Sequence, residues 1–269
     1  LVAYDVIKPN GIVAKVLYKG EKWIYKKADR VIMTWPGGYD YITEKGWEKA
    51  IPKEKVLHIS NGVDLAEYRQ NINEHPFNDK RMDDYRGLKF VYTGSIRKVN
   101  NLGLLIDTAK ILKSRNVSGF KLFIFGDGDE RQALEEKAKE QDLDNIVFMG
   151  TVPKMQVPSV LSKSDINILH NASTILDKYG QSQNKFFEYL ASGKPILMTY
   201  TAGHSIIEKY RCGFEAKVQT PESVAGLIEK ICTLEKKDLA LMSKNAEEAA
   251  KEYDFKVLTE KIISLIETI

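Results

Sequence analysis

Between Leu88 and Tyr200 the chain repeats one pattern, a short apolar or β-branched run followed in several cases by a helical stretch. The runs are Leu88–Thr93, Phe120–Phe125, Asn145–Phe148, Asp165–His170 and Pro195–Tyr200, and helical periodicity follows at Leu102–Lys113 and Asp129–Gln141. Runs this short and this apolar fit strands buried on both faces. With helices between them the expected product is a parallel sheet covered on each side, because parallel neighbours need a long crossover. Such a sheet takes ligands at the carboxyl ends of its strands, near a switch in strand order, so the loops after these runs are the places to look for chemistry. The tail is helical, with periodic stretches at Glu222–Leu234, Asp238–Ala250 and Phe255–Ile266.

Upstream the signals are weaker. A helix is expected at Lys22–Asp29, a strand in the run Arg30–Trp35, a turn at Pro36-Gly37-Gly38, a helix at Tyr39–Lys45 and a strand at Lys55–Ser60 that closes on the turn Asn61-Gly62-Val63-Asp64. Tyr68–Gly87 is polar, carries Pro76 and many Asn, Asp and Arg, and reads as a linker to a new domain. Trp23, Trp35 and Trp47 read as packing residues. The chain opens on Leu1 rather than Met, and residues 1–30 lack a clean strand pattern, so an N-terminal partner domain is expected outside this sequence.

Composition excludes several classes. In 269 residues, 40 Lys and Arg are interspersed with 37 Asp and Glu for a net charge of +3, and no basic tract forms, so nucleic acid is not indicated as a partner. Cys212 and Cys232 are too few for a disulfide framework, which points to a reducing compartment. No apolar run approaches the roughly 20 residues that span a bilayer and no signal peptide is recognisable, so a cytoplasmic location is expected. His58, His75, His170 and His204 form no metal-ligand constellation, although His170 and His204 lie at strand ends where a ligand contact is open to them.

Three loops lead into helices with small or polar residues suited to close approach of an anion: Gly94-Ser95-Ile96-Arg97-Lys98, Gly126-Asp127-Gly128-Asp129 and Gly180-Gln181-Ser182. The second lacks both the Walker Gly-Lys-Ser/Thr and the G-x-G-x-x-G spacing, and Asp129 reads equally as a helix cap. The third opens the stretch Gly180–Pro195, where Ser182 is placed to cap a helix and Gly193-Lys194-Pro195 to stop it. Lys185 then falls in the first turn, against the macrodipole. Two readings are open: Lys185 and Glu188 form a surface ion pair, or Ser182–Lys185 hold a phosphorylated ligand at a helix N-terminus.

Taken in order, Ala28-Asp29-Arg30-Val31-Ile32, Ile59-Ser60-Asn61-Gly62-Val63-Asp64, Tyr92-Thr93-Gly94-Ser95, Asn101 through Ala109, Phe125-Gly126-Asp127-Gly128, Val147-Phe148-Met149-Gly150 and Ala191-Ser192-Gly193-Lys194-Pro195 resemble the donor-binding half of a family 4 retaining glycosyltransferase of the GT-B fold. The Ser-x-Asn-Lys at Ser182–Lys185 is similar to that of enzymes building bacterial surface polysaccharides. The resemblance implies an α/β fold, a Rossmann-like parallel-sheet donor domain with the remnant of a second Rossmann-like domain and a helical tail. On this division residues 1–67 close the acceptor-side domain, 68–87 link, 88–250 bind the donor, and 251–269 return to the first domain.

The resemblance also implies a nucleotide-diphosphate sugar donor of UDP or GDP type, a glycan or lipid-linked acceptor, no cofactor and no bound metal. Glu188 would bind the ribose diol, and Arg97 or Lys98 together with Lys185 would neutralise the leaving diphosphate. Gly94 and Ser95, Gly126 and Gly128, and Ser182 and Asn184 complete the expected donor site. Peripheral association with the inner face of a membrane, through the missing N-terminal domain, is compatible with this reading. Two departures stand out. The first carboxylate of the family's E-x7-E motif falls on Gly180, with Asp177 three residues earlier, and the family's Arg/Lys pair is normally more widely spaced than Arg97-Lys98.

Overall fold

Alternate residues of the first long strand serve opposite faces of a sheet. The structure, a computed structural model, describes residues 7–8 and 11–268. In β3 (Leu88–Thr93) Phe90 and Tyr92 enter one hydrophobic cluster and Val91 the other, as period-two geometry requires of a strand buried on both sides. β4 (Phe120–Phe125) does the same with Leu122 and Ile124 against Phe123 and Phe125. With β5 (Ile146–Gly150), β6 (Ile166–Leu169), β7 (Ile196–Met198) and β8 (Gly213–Glu215) they form a six-stranded sheet, parallel throughout, in the order β5-β4-β3-β6-β7-β8. The order runs outward from β3 and then reverses to β6 on its other side. That places the switch in strand order, and its crevice, between the ends of β3 and β6.

Helices cover both faces. α5 (Gly103–Ser114), α6 (Arg131–Glu140) and α10 (Pro221–Cys232) bury Leu105, Leu134 and Ile228 in one cluster, whereas α7 (Val157–Ser162), α8 (Asn184–Ala191), α9 (Ile206–Tyr210) and α11 (Lys236–Glu252) bury Leu161, Phe187, Ile207 and Ala249 in the other. β8, α7 and α9, three to six residues long, are elements that the sequence pattern did not separate from their surroundings.

Before this sheet, α1 (Ile12–Lys27), β1 (Val31–Met33), α2 (Gly38–Glu44) and β2 (Val56–His58) enclose a small cluster around Ile42, Trp47 and Ile51, and β1 pairs with β2 in parallel. α1 begins ten residues before the expected Lys22, because Tyr18 and Tyr25, two turns apart on one face, pack against this cluster and Ala14 on the same face is buried. Trp23, expected to pack, lies on another face and is 62% exposed. Residues 1–6 and 9–10 of the expected first segment, and residue 269 of the last, lie outside the described residues.

Residues 68–87, expected as a linker, hold most of α3 (Leu65–Glu74) and all of α4 (Lys80–Asp83). Tyr68 and Met82 are buried in the same cluster as α7 and α8, so a segment polar in composition is anchored by two apolar insertions. Asp64 caps α3 by accepting from the Glu67 N–H at 2.9 Å. α12 (Phe255–Ile266) starts beside this turn: Val63 N–H donates to Tyr253 O and Phe255 N–H to Val63 O, each at 3.0 Å.

Candidate functional site

Lys185 stands at the switch in strand order. Its ammonium donates to the carbonyl of His170, just past β6, at 2.8 Å and lies 4.7 Å from the centroid of the Tyr92 ring on β3. Burial pulls the Lys185 pKa down to about 8, so at neutral pH the group holds a proton in a place that offers it little solvation. An anion arriving there replaces what burial removed. Lys185 and Glu188 do not pair: Lys185 turns to the sheet, whereas Glu188 forms an ion pair with Lys154 from the turn after β5. The surface-pair reading of the two residues is thereby corrected.

The cap is also corrected. α8 starts one residue later than expected, with Gln183 at the N-cap and no side-chain cap. Ser182 faces away from the helix: its carbonyl accepts from Asn61 Nδ2 at 2.6 Å and its hydroxyl from Asn61 N–H at 3.3 Å. It ties the turn 61–64 to the entrance of α8. A second tie comes from Tyr189, which is fully buried and accepts from the Thr93 N–H at 3.0 Å. α8 is thereby held against the carboxyl end of β3, and that fixes where Lys185 reaches.

Loops 94–98 and 126–129 pack on one another rather than standing open. Gly94 N–H donates to Phe125 O at 3.0 Å, Ile96 N–H to Asp127 O at 2.8 Å and Gly126 N–H to Gly150 O at 2.8 Å. A Cβ on Gly126 would come within 1.8 Å of Gly94 O and one on Gly128 within 2.2 Å of Ile96 O. Close approach of two backbones therefore requires both glycines, and their expected N–H donors are already engaged, Gly128 N–H by Asp127 Oδ1 at 2.8 Å. Asp129 does not cap α6, whose N-cap is Glu130. Ser95, Arg97 and Lys98 are exposed on this shelf, and Ser95 Oγ donates to Asn100 Oδ1 at 2.9 Å. Among the described residues Arg97 and Lys98 form no ion pair.

Glu188 and Asn184 line a cavity of about 270 Å³ together with Lys154, Met155, Pro158 and residues of the 62–64 turn and α3. Lys154 was missed by sequence reading although it carries the signal used for Arg97 and Lys98, a cation just past a strand end. Of the two histidines at strand ends, His170 is buried with Nδ1 2.6 Å from Thr199 Oγ1 and Nε2 2.9 Å from Asn101 O, and His204 pairs with Asp40 at 2.8 Å. Both are occupied within the protein. Asp177 is likewise committed: its carboxylate accepts from Thr174 N–H at 2.6 Å and Ser173 Oγ at 3.0 Å. Among the described residues no three His, Cys, Asp or Glu side chains gather to hold a metal ion, and no helix is long and apolar enough to cross a membrane.

The fold is that of GT-B glycosyltransferases. Solved structures similar to this chain include HepE of Anabaena in complex with UDP (15% identity, TM-score 0.75, 98% of this chain and 70% of that one), a glycosyltransferase from Rickettsia africae (15%, 0.67, 91% and 66%) and sucrose-phosphate synthase from Thermosynechococcus elongatus (17%, 0.68, 99% and 65%). The chain thus spans about two thirds of the length of these structures. A search among curated proteins gives no match. Residues 87–236 match the family described as glycosyl transferases group 1. Since that match takes in more than half of its residues, the chain belongs to the group 1 glycosyl transferases.

Proposed function

We propose that this chain is the donor-binding part of a retaining family 4 glycosyltransferase that moves a sugar from a nucleotide-diphosphate sugar to a glycan or lipid-linked acceptor, in the building of a bacterial surface polysaccharide. The observation that carries the reading is Lys185, a partly desolvated ammonium at the switch between β3 and β6. Its neighbour one turn on, Glu188, lines a cavity with Asn184. On this reading the Lys185 ammonium meets the diphosphate and the Glu188 carboxylate accepts from the ribose diol, displacing Lys154. Arg97 and Lys98, exposed on the neighbouring loop shelf with Ser95, balance the charge that grows on the diphosphate as the sugar leaves. Gly94, Gly126 and Gly128 keep that shelf tight, and Ser182 orients the entrance to α8.

The similarity to HepE, solved with UDP and with UDP-glucose, supports a donor of this class. The division into an acceptor-side end at 1–67, a connection at 68–87, a donor domain at 88–250 and a returning segment at 251–269 belongs to the same proposal and is supported by the start of α12 beside Val63. So does a cytoplasmic protein acting at the inner face of a membrane.

A second reading is favoured by one observation. Gly180 holds the place of the first carboxylate of E-x7-E, and Asp177 is engaged in its own turn. A non-catalytic nucleotide-sugar-binding subunit completed by a separate partner chain accounts for that. Titrating UDP, GDP and their sugars into the chain by calorimetry tests the donor site: binding is expected, with loss in Lys185→Ala and Glu188→Ala. Unchanged binding in both variants would overturn it.

A further inference from the structure

The cavity beside Glu188 has a wall that none of the expected donor-site residues supplies. α3 contributes Glu67, Tyr68 and Asn71 to it. Tyr68 is 3% exposed, and its hydroxyl oxygen is buried without a hydrogen-bond partner among the described residues. Other buried tyrosines near the carboxyl ends of the strands are not left so. Tyr92 OH donates to Ser95 O at 3.0 Å, Tyr189 OH meets Thr93, and Tyr200 OH donates to Gln181 Oε1 at 2.9 Å.

Leaving a buried hydroxyl unpaired costs stability, and folded proteins seldom do it without a reason. Glu188 is close enough for its charge to add to burial in raising the Tyr68 pKa, so the phenol keeps its proton and is a donor at any working pH. Its ring is fixed in the core with Val63 and Leu65. A diol that donates both its hydrogens to a carboxylate still has oxygen lone pairs to satisfy, and a carboxylate cannot serve them. The wall opposite needs a donor.

We propose that the Tyr68 hydroxyl is a ribose-contacting group of the donor site, donating to one hydroxyl oxygen of the nucleotide's ribose while that diol donates to Glu188. The proposal rests on the donor-site reading above and adds α3 to it. Residues that confer ribose specificity then come from the segment just after Asn61-Gly62-Val63-Asp64 as well as from α8.

The test compares wild type, Tyr68→Phe and Glu188→Ala in calorimetric titrations with uridine and guanosine diphosphates and with the 2′-deoxy and 3′-deoxy forms of whichever base binds. Phe keeps the ring and its packing, and a thermal midpoint at or above that of wild type verifies that the variant is folded. Tyr68→Phe is expected to weaken the ribonucleotide by about fivefold to tenfold, the usual worth of one hydrogen bond, while leaving the affinity for one of the deoxy forms unchanged. Wild-type affinity for all three ligands would overturn the proposal, since the hydroxyl would then be structural or bridged by water. An equal loss for all three would also overturn it, because the effect would not pass through the ribose. If Glu188→Ala abolishes binding and Tyr68→Phe does nothing, this proposal alone fails; if wild type binds no nucleotide, the donor-site reading fails with it.

Discussion

Gly180 sits with its back against Pro36. A Cβ built on Gly180 lies 2.6 Å from Pro36 Cδ, φ at Gly180 is +113°, and the neighbouring Tyr179 carbonyl accepts from the Gly37 N–H at 2.7 Å. The turn before α8 is therefore a strut to the loop after β1, and only glycine meets both its steric and its dihedral demands. Gly180→Glu, which writes the missing carboxylate back into the chain, is expected to lose about 1–3 kcal/mol of stability in urea unfolding. It is also expected to bring no gain in nucleotide-sugar affinity. A variant as stable as wild type that binds more tightly would mean that the turn relaxes, and the reading as a non-catalytic subunit would lose its support.

How far the sequence carries depends on the range of the interaction involved. β3 and β4 were legible to the residue because most of Leu88–Thr93 and Phe120–Phe125 is buried and apolar, and each run stops at a glycine of positive φ, Gly94 and Gly126. Lys185 and Glu188 were legible as neighbours on α8, but not as diverging groups. Their separation comes from His170 O on one side and Lys154 on the other, partners 15 and 34 residues away in sequence. Tyr68 and Met82 were lost in a polar segment for the same reason, since a few buried side chains anchor a short helix without giving it a readable period.

Lys185 carries a pH dependence with a definite sign. Its pKa in the free protein is lowered to about 8 by burial, and on the proposed reading a bound diphosphate would raise it again. Affinity for a nucleoside diphosphate is therefore expected to fall as pH rises above about 8, by at most about tenfold per pH unit. Lys185→Met is expected to bind weakly with a flat profile between pH 7 and 9.5. A wild-type profile that is flat over the same range, measured by calorimetry, would place the phosphates elsewhere.

The position of α8 depends on Tyr189. Its hydroxyl accepts from Thr93 N–H at 3.0 Å and lies 3.1 Å from Thr93 Oγ1, all within the core. Tyr189→Phe leaves that N–H at the end of β3 unpaired, for a loss of about 1–3 kcal/mol in urea unfolding. Because the helix then loses its tie to the strand, nucleotide affinity should drop as well, although Tyr189 lines no wall of the cavity beside Glu188. Weaker folding with unaltered nucleotide affinity would show that Lys185 is held by other contacts.

His170 gives the fold an acid limit. Asn101 O can only accept, so Nε2 carries the ring proton and Nδ1 accepts from the Thr199 hydroxyl. Burial is the main cause that lowers its pKa to about 4, and the nearby Lys185 charge acts in the same direction. The unfolded chain takes up this proton near pH 6.5 and the folded chain only near 4, so the stability is fully present above 6.5 and lost as pH falls through that window. Integrated over the window the loss is about 3 kcal/mol. Carboxylates elsewhere also titrate here, so the informative measurement is a difference in thermal midpoint between wild type and His170→Gln. The variant is expected to be the less stable at pH 7, with a gap that narrows steadily from pH 6.5 to 4. A gap that stays constant over that range would mean that His170 is already protonated in the folded protein, and that its contacts to Asn101 and Thr199 survive the charge.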